Sequence, residues 1–205
     1  IMKAVFTTSE KKNKKYLFAD HFINCEENDI VFFSDILSLN NKKNLKNIVN
    51  ATTLDLATLP GFGHYSGCHK LNEDIFIIDN DQDRKQPNIH SVYRKKKFVG
   101  IFINCGLYHP DDYFEKSLKS KKKCLEHSFK IKDKKLVFFI APEFQIRFKK
   151  NYFKKFNLTF DNFIKDRIEK KKFLEFKVEN GKYNIYTFFN SEDVGGHFVE
   201  LEKKS

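Results

Sequence analysis

Tryptophan is missing from this chain, methionine occurs once, and only four prolines and eight glycines are spread over its 205 residues. With 24 phenylalanines present, the core must be built largely from Phe, Ile and Leu. No Pro/Gly/Ser-rich linker separates two compositions and no internal repeat is visible, so residues 1–205 read as a single domain with a substantial core. Cys25, Cys68, Cys105 and Cys124 are scattered, with no Cys-x-x-Cys pair. That argues against a disulfide framework and for reduced thiols in a cytoplasmic protein. No apolar run approaches bilayer-spanning length and no signal-peptide pattern precedes the first charged run, so a soluble protein with no membrane partner is expected.

What the chain has in excess is positive charge. Its 38 Lys and Arg against 27 Asp and Glu give a formal charge of +11, which favours a polyanionic partner. All but four of the cations are lysine, in a Lys-, Asn- and Phe-rich composition of the kind AT-biased genomes produce, so part of the excess reflects composition. The basic runs are Lys11–Lys15, Arg94–Lys97, Lys119–Lys123, Lys149–Lys155 and Lys170–Lys172. Several carry aromatic neighbours, as in Tyr93-Arg94-Lys95-Lys96-Lys97-Phe98 and around Arg147, Lys149 and Lys150. Each alone suits a solvated face; together they suit phosphate contacts, which set affinity and not sequence choice.

Short segments rich in β-branched and aromatic residues predict strands over Lys3–Thr8, Lys15–Ile23, Asp29–Phe33, Asp74–Ile78, Ile89–Tyr93 and Phe98–Asn104. A helix opens at Pro110, where a missing N–H costs nothing, with Asp111 and Asp112 at its positive end. Strands follow over Phe129–Lys132 and Leu136–Ile140, turning through Asp133-Lys134, then over Glu143–Phe148. Helical spacing recurs between Tyr152 and Lys170, with a possible break at Asn157–Thr159. Asn180-Gly181 suits a type I′ turn, which would set Glu179 opposite Lys182, Val178 opposite Tyr183 and Phe176 opposite Ile185. The whole reads as α+β and sheet-dominated, with two or three helices packed on the sheet.

Gly61, Gly63 and Gly67 crowd the stretch Gly61-Phe62-Gly63-His64-Tyr65-Ser66-Gly67-Cys68-His69-Lys70, and Gly195-Gly196 stand directly before His197. Both are ordinary turns or places where the backbone comes close to a reacting group. His64, Cys68 and His69 could begin a zinc site, but no second ligand pair stands at finger-like spacing, so no metal and no cofactor is expected. Glu175-Phe176-Lys177 fits the E-x-K half of a magnesium-dependent nuclease signature, with Asp161 or Asp112 as the further carboxylate; a solvated strand face is the alternative. Asp79, Asp81 and Asp83 lack the glycine and terminal glutamate of a calcium loop.

Tyr65 in its Gly-rich setting, Lys70 five residues on, and His197-Phe198-Val199-Glu200 near the end give the chain a resemblance to the PabI-type restriction DNA glycosylases of the HalfPipe superfamily. The resemblance implies a strongly curved antiparallel sheet, a half-pipe that clasps double-stranded DNA, and a homodimer acting without metal on the palindrome GTAC. It further implies that adenine is flipped out and excised, and that a lysine then opens the abasic site. Three positions depart from the family pattern: Glu200 stands for an aspartate, Gly67 for an arginine, and the first arginine is Arg84. On these residues, Tyr65 would meet the sugar or water, His197 oriented by Glu200 would position the water, and Lys70 would attack the sugar aldehyde as a free amine. Three-residue spacing joins His197 and Glu200 on one side of a helical turn but puts them on opposite faces of a strand. The pairing therefore requires a non-strand conformation after Gly196, or another group to orient the histidine.

Overall fold

The computed structural model describes residues 15–24, 31–51, 68–72, 74–78, 88–104, 110–119, 124–140, 159–190 and 193–202. They form two compact units: Ile1–Phe22, Arg84–Phe129 and Gly181–Ser205 belong to the first, Ile23–Asp83 and Lys130–Asn180 to the second. Each is organised on an antiparallel sheet, so the architecture is α+β and sheet-dominated.

The first unit holds β1 (Leu17–His21), β5 (Asn88–Arg94), β6 (Lys97–Asn104), β7 (Leu125–Ile131), β10 (Gly181–Asn190) and β11 (Asp193–Leu201), in the order β1-β5-β6-β11-β10-β7. Helix α3 (Pro110–Lys119) begins at the proline, as its sequence predicts. Its Phe114 is fully buried and meets Tyr16, Phe18, Phe102, Phe188 and Phe198 edge-on, at ring separations of 5.0–6.0 Å. Edge-to-face packing suits the quadrupole of each ring, and one phenylalanine thereby organises the core on that face.

The second unit holds β2 (Val31–Asp35), β3 (Cys68–Asn72), β4 (Ile75–Ile78), β8 (Lys135–Ile140) and β9 (Phe173–Lys177), in the order β3-β4-β2-β8-β9. Helices α1 (Ile36–Leu39), α2 (Lys42–Ala51) and α4 (Phe160–Glu169) cover one face, where Ile36, Leu39, Leu45, Ile48 and Phe163 join Phe32, Ile77 and Phe139. Thr159 caps α4 by accepting from the Asn162 N–H, so the helix begins directly after Thr159, and the earlier part of the helical region expected from Tyr152 lies outside the described residues. At the end of β2 the Asp35 carboxyl is buried, and burial pushes its pKa up against the opposing pull of the Lys132 and Asp133 N–H groups.

Four expectations need correction. The strands are divided between two sheets, neither strongly curled, in place of one half-pipe. The described residues contain four helices, because α1 and α2 lie in a stretch whose periodicity is short and diluted by Lys and Asn. The segments flanking Asn180-Gly181 do not pair with each other. β9 pairs with β8, setting Phe176 opposite Leu136, whereas β10 pairs with β11. The Asn180 side chain explains the divergence: its Oδ1 accepts from the Lys134 N–H at 2.7 Å, and Lys134 O accepts from the Val178 N–H. That ties the end of β9 to the turn before β8, and the chain enters the other unit at Gly181. Likewise β7 and β8, expected to turn back on one another, lie in different sheets. The strands predicted over Lys3–Thr8 and Glu143–Phe148 lie outside the described residues.

Candidate functional site

Tyr65 with its glycines, and Arg147, Lys149 and Lys150, lie outside the described residues. Lys70 sits on β3, an edge strand, opposite Phe76 of β4. Its side chain is exposed, whereas Cys68, on the same strand face two residues earlier, is buried. His69 points to the other face, so alternation along β3 separates it from Cys68. Among the described residues no three His, Cys, Asp or Glu side chains converge in a metal-ligating group.

His197 and Glu200 lie in the other unit, both on β11, and the strand is regular through them. Thr187 pairs with His197 and Asn184 with Glu200, so the imidazole and the carboxylate project from opposite faces. The orientation of His197 by Glu200 is therefore not formed. Thr187 takes that place, with its Oγ1 2.9 Å from His197 Nδ1. His197 is fully buried. The preceding glycine has a packing reason: at Gly196 φ is +153°, and a Cβ would come within 2.4 Å of the Ile103 carbonyl oxygen. Gly100 serves the same seam between β6 and β11, since a Cβ there would lie 2.4 Å from the Val199 carbonyl oxygen.

A polar group that sequence reasoning missed lies on β1 and β5. His90 Nδ1 is 2.7 Å from Asp20 Oδ1, and the His90 ring stacks at 6.4 Å on Phe102. Next to it, His21 Nε2 is 2.8 Å from Ser91 Oγ. Burial lowers the His21 pKa, the nearby His90 lowers it further, and Asp20 offsets part of the shift. No local pattern could reveal this group, because each bonded pair is separated by 70 positions in sequence.

The basic run Arg94–Lys97 closes the β5–β6 hairpin. Arg94 pairs with Lys97, which leaves Lys95 and Lys96 as a two-residue loop with φ of +49° and +62°. Positive φ at both central residues is the mark of a type I′ turn. All four cationic side chains are exposed. Behind them Tyr16 carries two more contacts, with the Arg94 guanidinium 6.0 Å and the Lys15 ammonium 5.8 Å from its ring centre. Comparison with known proteins finds no match to this chain among family profiles, curated sequences or solved structures.

Glu175 and Lys177 share the exposed face of β9, and Glu175 is engaged by Lys135 at 3.2 Å. Asp161 lies in the first turn of α4, and Asp112 belongs to α3 in the other unit. Among the described residues, the hairpin tip presents four contiguous exposed cations, Arg94–Lys97, on two paired strands.

Proposed function

We propose that the protein holds DNA by its phosphates and acts on it as a metal-independent adenine DNA glycosylase of the PabI type, opening the abasic site with a lysine. The observation that carries the DNA half of this reading is the Lys95-Lys96 turn. Lysine at φ of +49° and +62° is disfavoured by its Cβ, and Asn-Gly is the usual solution for this turn. Two cations kept at a strained tip, with Arg94 and Lys97 directly behind, are consistent with a phosphate-binding role.

The base-excision half is carried over from the sequence resemblance, which names Tyr65, Lys70 and His197 as its candidate residues. Water adds to the sugar carbon as the bond to adenine breaks, through an oxocarbenium-like state, and free adenine leaves. The Lys70 amine then condenses with the sugar aldehyde, expelling water, and β-elimination from the resulting imine releases the 3′ phosphate. A family-like homodimer would match a palindromic target such as GTAC. Glu200 is dropped from the machinery, and Thr187 is assigned the orienting bond to His197.

Duplex DNA incubated with the protein in excess EDTA tests this. Free adenine, and a covalent adduct trapped by borohydride, are the expected products. Lys70→Ala should abolish the adduct and keep adenine release, whereas Tyr65→Phe should slow release itself. Cleavage seen only with magnesium would replace this reading by a nuclease. A second reading, a nucleic-acid-binding module without catalysis, is favoured by the complete burial of His197 and by the position of Glu200 on the opposite strand face. Tight DNA binding with neither adenine nor cleavage would establish it.

A further inference from the structure

The end of the first unit's sheet carries more than charge. Leu17 of β1 pairs with Tyr93 of β5, and Tyr93 pairs with Phe98 of β6, so the three form one cross-strand row. Leu17 is 46% and Phe98 39% exposed, while Tyr93 meets Phe98 edge-on at 5.9 Å. Alternation puts Tyr16 and its two cations on the opposite face, where Tyr16 packs against Phe114. The row is thus an apolar strip that ends at the Lys95-Lys96 turn, and residues 15–17 and 93–98 include no acidic side chain.

We infer that this strip binds single-stranded nucleic acid, with an unpaired base stacked on Phe98 and its flanking phosphates held by the cations of the hairpin tip. An exposed ring beside closely spaced cations has the two components of a single-strand site: a π-face any base can use and charges that follow the backbone. Paired bases already stacked within a duplex cannot cover the ring, so a duplex would engage the cations alone. The row crosses three adjacent strands, and the Lys95-Lys96 turn lies one residue pair beyond Tyr93 and Phe98. An acidic protein segment would satisfy the charges but has no need of an aromatic ring. The inference rests on the nucleic-acid part of the reading above and is independent of base excision.

Fluorescence anisotropy with a short labelled oligothymidylate, the matching duplex and unlabelled polyphosphate as competitor tests it. Phe98→Ala should weaken single-strand binding about 5- to 150-fold and leave duplex binding unchanged. Phe98→Tyr should retain wild-type binding, and Phe98→Leu, which keeps apolar area without a π-face, should bind as weakly as the alanine variant. Lys95→Asn with Lys96→Gly should weaken both ligands, since that pair removes charge while suiting the turn. Equal single-strand affinity in wild type and Phe98→Ala overturns the inference, as does full activity of Phe98→Leu. If the lysine pair changes neither ligand, the failure lies in the nucleic-acid reading itself.

Discussion

Asp166→Ala is expected to destabilise the second unit by about 3–5 kcal/mol, through a charge that the substitution leaves behind. Arg167 is only 2% exposed, although it carries a full positive charge. Its Nε donates to Asp166 Oδ2 at 2.9 Å, Nη2 donates to the same oxygen, and Nη1 donates to the Ile140 carbonyl at 3.1 Å. The guanidinium thereby joins the end of α4 to the end of β8, where the Ile140 N–H also donates to Lys172 O. Removing the aspartate leaves a buried guanidinium with one neutral acceptor. Removing the arginine is milder: Asp166 is partly exposed and keeps Lys170 at 3.0 Å, and methionine can fill the vacated volume. Arg167→Met should therefore cost much less than Asp166→Ala, and the double variant should recover most of the loss. Urea titration of the four proteins measures this, and equal losses for the two single variants would contradict it. The acid limb gives a second readout. Burial raises the Asp166 pKa, but the hydrogen bonds from Arg167 and Lys170 outweigh that and hold it below the ordinary aspartate value. The folded state thus releases this proton more readily than the unfolded one. The stabilisation is complete above the ordinary aspartate pKa and is lost as pH falls through the depressed folded value. That loss should be absent from Asp166→Ala.

Gly196→Ala is expected to cost about 2–5 kcal/mol, combining a disfavoured φ with a clash that has no cheap outlet. The added carbon would meet a backbone oxygen of β6 at 2.4 Å and the Phe102 ring at 2.6 Å. Strands β6 and β11 would have to separate where Gly196 pairs with Asn104 and His197 with Ile103. The loss should appear both in urea unfolding and in faster amide exchange along β11. Unchanged stability would mean that this seam is looser than the close approach at Gly196 and Gly100 implies.

The sequence made the strand-rich character, the proline-initiated α3 and the helical spacing of α4 legible, because those signals are local. Sheet partnership was not legible. Asn180-Gly181 has the composition of a type I′ turn, yet the Asn180 side chain is committed to the Lys134 N–H. The type I′ geometry occurs at Lys95-Lys96, where composition gives no hint of it. The two glycines before His197 drew attention for chemistry, and the structure gives Gly196 a packing role between strands. Spacing alone left His197 and Glu200 either together or apart, and strand geometry decides for apart. The His90–Asp20 contact and the burial of Arg167 depend on tertiary packing, so no sequence pattern announces them.

The claim on which the functional account stands is that the Lys95-Lys96 tip contacts phosphates. Its most direct measurement is duplex affinity against salt concentration for wild type and for Lys95→Asn with Lys96→Gly. Each phosphate contact contributes about 0.9 to the slope of log K against log salt, so the variant's slope should be shallower by about 2. Its thermal stability should be equal or higher, because Asn-Gly relieves the positive φ of both lysines. An unchanged slope in a folded variant would contradict the account.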